Sequence, residues 1–198
     1  MKSRSWLIVG LMLFIYGFYV ALYTFYLNNS PRAFLELLPA VSGIGILIWA
    51  GFRRQDCYLR VASISKKAIV LFAAYSLVII SVVSFGHPFK WNWAAIFVYA
   101  PLTGIAQELF FRSALLPVLT RILSTTPFVA VSLQAILFGL WHAPKAFITV
   151  PSWISIILPL VTFGGGLLWG WQVQRDKTVV WAMGFHVAYQ MIMQAFYA

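Results

Sequence analysis

Long uncharged runs separated by short charged loops set the rhythm of this chain. The runs cover residues 5–31, 37–52, 68–89, 91–107, 122–144, 146–174 and 178–198. A helix that crosses a bilayer needs about 20 predominantly apolar residues, with roughly 17–25 as the working range. Six runs reach that range and 37–52 nearly does. The pattern therefore predicts an all-α polytopic membrane helix bundle of about seven transmembrane helices. Pro101 suits the first turn of a helix, where its missing N–H costs nothing. The fourth helix is accordingly expected from near Pro101 to near Arg121, with 91–100 as an outer lead-in or a preceding bend. The first run follows Lys2 and Arg4, but it is too long for a signal peptide and no small-residue cleavage site follows it. It reads as a retained anchor. No repeat, low-complexity tract or polar linker interrupts the pattern, so 1–198 reads as one membrane domain. Residues 1–100 form scaffold helices and 101–190 carry the chemistry. In the sixth helix, Gly166 and Gly170 form a GxxxG step that lets a neighbouring backbone approach.

Composition sharpens this picture. The chain is 62% hydrophobic and only 9% charged, far from the balance of soluble domains. Its net charge of +10 is spread over short loops rather than gathered on a polar domain, so nucleic acid is not an expected partner. The cations instead follow the positive-inside rule. With the N-terminus cytoplasmic, Lys2, Arg4, Arg53, Arg54, Arg60, Lys66, Lys67, Arg112, Arg121, Arg175 and Lys177 fall inside or near the inner interface. Only Arg32, Lys90 and Lys145 fall outside. Trp91, Trp93 and Trp153 flank the outer loops, where interface aromatics belong. The expected location is a bacterial inner (cytoplasmic) membrane, crossed several times. Cys57 is the only cysteine, which excludes an intramolecular disulfide and a cysteine metal cluster.

Against this apolar background, three patterns stand out: Gln107-Glu108-Leu109-Phe110-Phe111-Arg112, Phe138-Gly139-Leu140-Trp141-His142 and His186-Val187-Ala188-Tyr189-Gln190. Polar groups at membrane depth are costly, and those that persist usually serve a function. Glu108 and Arg112 share a helix face, a natural way to keep a carboxylate charged; they read as a structural ion pair bracing position 107. His142 is followed by Ala143-Pro144, which predicts that it sits at the outer end of its helix. His186 falls mid-membrane, with Gln190 one turn further on the same face. His87, in an outer loop, is given no role. Counting along the helices, Gln107, His142 and His186 meet in the outer half of the membrane, with helices four, five and seven around a polar cavity. No serine nucleophile elbow and no HExxH zinc pattern is present. The groups that remain suit water activation by a carboxylate at 107 with His142, and oxyanion stabilisation by His186 and Gln190. No cofactor is expected; a zinc held by the histidines and a carboxylate ranks second, on ligand type alone.

Together the three patterns resemble the signature motifs of the CAAX-protease and bacteriocin-processing family of glutamic intramembrane endopeptidases. The resemblance covers roughly 101–190 and also fits the helix count. The family includes eukaryotic enzymes that remove the last three residues of prenylated CAAX proteins. It also includes bacterial members linked to bacteriocin processing or immunity, or to trimming C-terminal sorting tails, as in the myxosortase type. The resemblance implies that position 107 and His142 activate the water, that Glu108 and Arg112 complete the first motif, and that His186 with Gln190 forms the oxyanion site. Two departures stand out. Gln190 replaces an asparagine, keeping the amide. Gln107 replaces a glutamate, and a neutral amide takes no proton as a general base.

An engineered Glu→Gln exchange, a natural pseudoprotease or a transfer of the base role to Glu108 would each account for Gln107. The first fits best with every other motif residue in place. The expected function is thus an intramembrane glutamic endopeptidase, inactive in this form at 107. It would cut near the C-terminal tail of a membrane-anchored protein or peptide on the extracytoplasmic side, with the lipid bilayer as its other partner. A catalytically dead binding or immunity protein is the alternative. A small transporter or proton relay stands third, because no inverted repeat or paired broken helices appear.

Overall fold

The computed structural model describes residues 2–25, 31–84, 89, 91–149 and 154–197; His87, Lys90 and Trp153 lie outside the described residues. Among the described residues the chain is all helical, without a strand. Its rods are α1 (Lys2–Phe25), α2 (Leu37–Trp49), α3 (Lys66–Ser84), α4 (Ala100–Glu108), α5 (Pro127–Thr149), α6 (Ile154–Asp176) and α7 (Val180–Tyr197). A single 3-10 segment, Pro31–Glu36, leads into α2. Among the described residues, four stretches are long and apolar enough to cross a membrane: Ser5–Phe25, Ala95–Ile122, Pro127–Ile148 and Ser155–Asp176. The number of rods matches the seven expected from the runs. The apolar stretch Phe34–Trp49 is shorter.

The fourth rod departs from the sequence reading at its start. It begins before Pro101, because the π-wound segment Ala95–Tyr99 continues directly into α4. A wide turn that bonds five residues back absorbs the N–H that proline lacks. Two more π-wound segments, Leu109–Leu115 and Val118–Ile122, complete the rod. It is the central helix, since every residue from 110 to 119 is buried. Centrality has a chemical consequence. Adjacent residues point about 100° apart on a helix, so on a helix surrounded by others Gln107 and Glu108 address different neighbours.

Close approaches at glycine bring the neighbours into register. A Cβ built at Gly104 would lie 3.1 Å from the backbone N and Cα of Val187, so α4 and α7 touch there. One turn beyond Gly104 is Glu108, and beside Val187 is His186. The GxxxG step works as expected between α5 and α6: a Cβ at Gly166 would lie 2.9 Å from Ala135 Cα, and one at Gly170 would lie 2.7 Å from Gln134 Oε1.

Three loops gather at one end of the bundle. The Val179 N–H donates to Tyr58 O at 3.0 Å, and Arg60 Nε donates to Lys177 O at 2.9 Å. The Arg121–Asp56 ion pair is 2.7 Å long. Arg53, Arg54, Arg60, Arg121, Arg175 and Lys177 therefore share this end. Arg112, expected inside or near the inner interface, does not join them: it is fully buried on the central rod. It is held there as the partner of a buried acid. Cys57 lies in the same basic loop cluster. Burial pushes its thiol up to about 11, so it stays protonated at neutral pH and is a poor nucleophile.

Candidate active site

At the opposite half of the bundle, a cavity of about 140 Å³ lies between α1, α3, α5, α6 and α7. Its lining includes Tyr23, Tyr75, Phe138, His142, Thr162, Trp169, His186, Tyr189 and Gln190. Three of the residues singled out in the sequence thus meet: His142, His186 and Gln190. The helices around them are not the expected set. Helices five and seven line the cavity, while α4 stands behind it and contributes no lining residue. The supposed scaffold contributes instead, through Tyr23 on α1 and Tyr75 on α3.

His142 is not at a helix end. Helix α5 continues through Pro144 to Thr149, because a proline inside a membrane helix removes only one N–H and local adjustment accommodates it. The ring is 5% exposed, and its Nδ1 lies 2.9 Å from Phe138 O. A carbonyl only accepts, so Nδ1 carries the proton and Nε2 of the neutral ring keeps its lone pair. Tyr23, Trp141 and Phe138 surround the ring edge-on.

His186 is fixed by a different partner. Its Nδ1 lies 2.7 Å from Glu108 Oε1, and Gln190 Nε2 lies 3.3 Å from its Nε2. The carboxylate accepts the Nδ1 hydrogen bond and the amide N–H donates to Nε2, which again defines the tautomer. Trp169 stacks on the ring at 4.4 Å. The other Glu108 oxygen lies 3.2 Å from Arg112 Nε. The Arg112 guanidinium sits 4.3 Å above Phe138 and 5.4 Å above Trp169, where aromatic faces attract a cation. The Glu108–Arg112 pair was expected to brace position 107. It braces His186 instead, because Glu108 lies on the α7 side of the central rod.

Gln107, expected to meet His142 and His186, does not line their cavity and turns toward Glu36 instead. Its Nε2 donates to Glu36 Oε2 at 3.4 Å. Tyr19 Oη donates to the same oxygen at 2.9 Å, and Thr103 Oγ1 donates to Oε1 at 3.3 Å. Glu36 is 3% exposed. Sequence reasoning passed over it as the boundary of a run. A signal was nevertheless present: of the four acids in the chain, Asp56 and Asp176 accompany basic loops, whereas Glu36 and Glu108 adjoin long apolar stretches.

Among the described residues, no group of three or more His, Cys, Asp or Glu side chains is placed to hold a metal ion. The donors near the cavity are already committed: Glu108 to His186 and Arg112, and Glu36 to two hydroxyls and an amide. The arrangement offers two oriented imidazoles, one backed by a carboxylate and an amide, in a small apolar-walled space. That equipment suits proton transfer to and from a water and stabilisation of a developing oxyanion.

A family model described as type II CAAX prenyl endopeptidase Rce1-like matches residues 89–192, just over half of the chain and the whole of the region that holds the three motifs. No curated protein and no solved structure matches the chain.

Proposed function

The chain belongs to the Rce1-like family of type II CAAX prenyl endopeptidases, a family of membrane proteases, and from that premise we propose that it hydrolyses a peptide bond near the C-terminal segment of a membrane-anchored protein. The observation that carries the reading is the meeting of His142, His186 and Gln190 in one buried cavity, with each ring's tautomer set by a separate partner. A water in that cavity attacks the scissile carbonyl carbon. His142 Nε2 takes the proton that the water loses and returns it to the leaving amine. The oxyanion forms beside Gln190 and His186. One N–H of the Gln190 amide donates to His186 Nε2 and the other is free for the oxyanion, while Glu108, held by Arg112, keeps the His186 ring in the orientation that aims this amide.

Gln107 weakens this machinery. The family resemblance gives position 107 a second water-activating carboxylate; the amide here is paired with Glu36 and takes no proton, so the base role rests on His142. Hydrolysis by the chain as it stands is therefore expected to be lost or slow. The cavity lies away from the basic loops, which supports an extracytoplasmic site if those loops face the cytoplasm of a bacterial inner membrane. A substrate with a C-terminal membrane sorting tail fits that placement better than a prenylated cytoplasmic protein.

The test compares this chain with Gln107→Glu in liposomes containing host membrane proteins, with products read by mass spectrometry. The glutamate form should gain about 100- to 10,000-fold in cleavage, the usual worth of a positioned base. His142→Ala in that background should abolish it. If neither form cuts any protein while both retain the same one, the binding or immunity reading replaces this one.

A further inference from the structure

Glu36 is a buried acid outside all three motifs, yet it contacts the motif residue that departs from the family pattern. Every hydrogen bond it makes comes from a group able to donate: the Tyr19 and Thr103 hydroxyls and the Gln107 amide. An amide NH2 cannot accept, so the Gln107 contact requires a carboxylate oxygen with a free lone pair. Lys145 on α5 also lies within Coulombic range of Glu36, as do Tyr19 and Tyr23 on α1. Burial penalises a charge at Glu36, and the three hydrogen bonds it accepts together with the nearby ammonium offset that cost. With Nε2 committed to Glu36, the other end of the Gln107 amide is defined. Its Oε1 is buried and has no hydrogen-bond partner among the described residues, and a buried acceptor without a partner calls for a donor from elsewhere, such as a water.

We infer that Glu36 is a positioning residue of the hydrolytic site: Glu36 and the side chain at 107 form one hydrogen-bonded pair built to hold a single negative charge. In this chain the acid stands at 36 and the amide at 107, the reverse of what an acid at 107 would need. The pair fixes Gln107 with its oxygen free to hold a water. It also governs the response of the site to an acid placed at 107. Two carboxyl groups in hydrogen-bond contact cannot both ionise readily, so they share a proton and the second ionisation moves to higher pH. Exchanging both residues restores one acid and one amide, with the amide of residue 36 now donating to the acid at 107.

This inference rests on the protease reading for its catalytic part and on geometry alone for the pair. The test is a four-member cycle in the full-length protein: the native chain, Glu36→Gln, Gln107→Glu, and the double exchange. Thermal unfolding in detergent reads the pair without any substrate. Each single change should lower the midpoint, and the double exchange should return to within a degree or two of native. Cleavage of the host protein that Gln107→Glu cuts in liposomes reads the site. The acid limb of the pH profile should lie at least one unit higher in Gln107→Glu than in the double exchange, a tenfold difference in proton affinity that a purely structural Glu36 would not produce. Additive losses of midpoint, or coincident pH profiles, would overturn the inference. If no member cleaves while the double exchange still rescues the midpoint, the pair stands and the protease reading fails.

Discussion

Replacing Glu108 by glutamine removes one charge from a pair that is wholly enclosed. Arg112 is fully buried, and its Nη1 and Nη2 have no hydrogen-bond partner among the described residues. The Glu108 carboxylate at 3.2 Å is its compensating charge, supplemented by the faces of Phe138 and Trp169. The ring faces are worth about 2 kcal/mol when desolvated, too little to stabilise an uncompensated buried cation. Breaking a buried pair from one side typically costs about 3–5 kcal/mol. At about 2–4 °C per kcal/mol for a domain of this size, Glu108→Gln should lower the unfolding midpoint by roughly 6–20 °C. Arg112→Met should cost less, because His186 at 2.7 Å still partners the carboxylate and can take up a proton. The double variant removes both charges and fills the guanidinium volume, so it should be more stable than Glu108→Gln alone. Tryptophan fluorescence during heating in detergent would follow all three, with nine tryptophans as reporters. A Glu108→Gln midpoint within a degree or two of native, or a double variant as poor as the sum of its singles, would refute the buried-charge argument.

The geometry sets three further outcomes. Gly166→Ala should destabilise by about 1–3 kcal/mol, since its Cβ would meet the Ala135 backbone at 2.9 Å, whereas Gly164→Ala, with nothing within 4 Å, should be neutral or mildly stabilising in the same melting experiment. Gln190→Leu should lower kcat of the Gln107→Glu enzyme by about 100-fold or more with little change in KM, because it deletes the donor beside His186 Nε2; an unaltered kcat would remove Gln190 from the oxyanion site. With Cys57 changed to Ser, single cysteines at the exposed positions 54 and 93 should differ in intact cells, an impermeant maleimide labelling Trp93→Cys and sparing Arg54→Cys; the reverse pattern would invert the proposed orientation.

Much of the site was legible because polar side chains at membrane depth are conspicuous. His142, His186 and Gln190 could be picked from the apolar background, and the helical spacing of four placed Gln190 on the His186 face, as the 3.3 Å contact bears out. The Glu108–Arg112 pair was readable for the same reason. Partners across helices were not readable. That Glu108 serves His186, 78 residues away, and that Gln107 serves Glu36, 71 residues away, depends on which helices flank the central rod. That α5 runs on through Pro144 was likewise not readable, because a proline can either end a helix or be carried inside one.

Hydropathy and charge by themselves determined the all-helical, membrane-embedded class, the number of rods and the clustering of cations in short loops, because lipid requires every backbone group to be satisfied within its own segment. Only the tertiary structure decided the direction in which each polar side chain turns. Two neighbours on one helix, an amide at 107 and a carboxylate at 108, face different neighbours of a buried rod. One therefore joins an acid that sequence reading had passed over, and the other orients the histidine in the cavity.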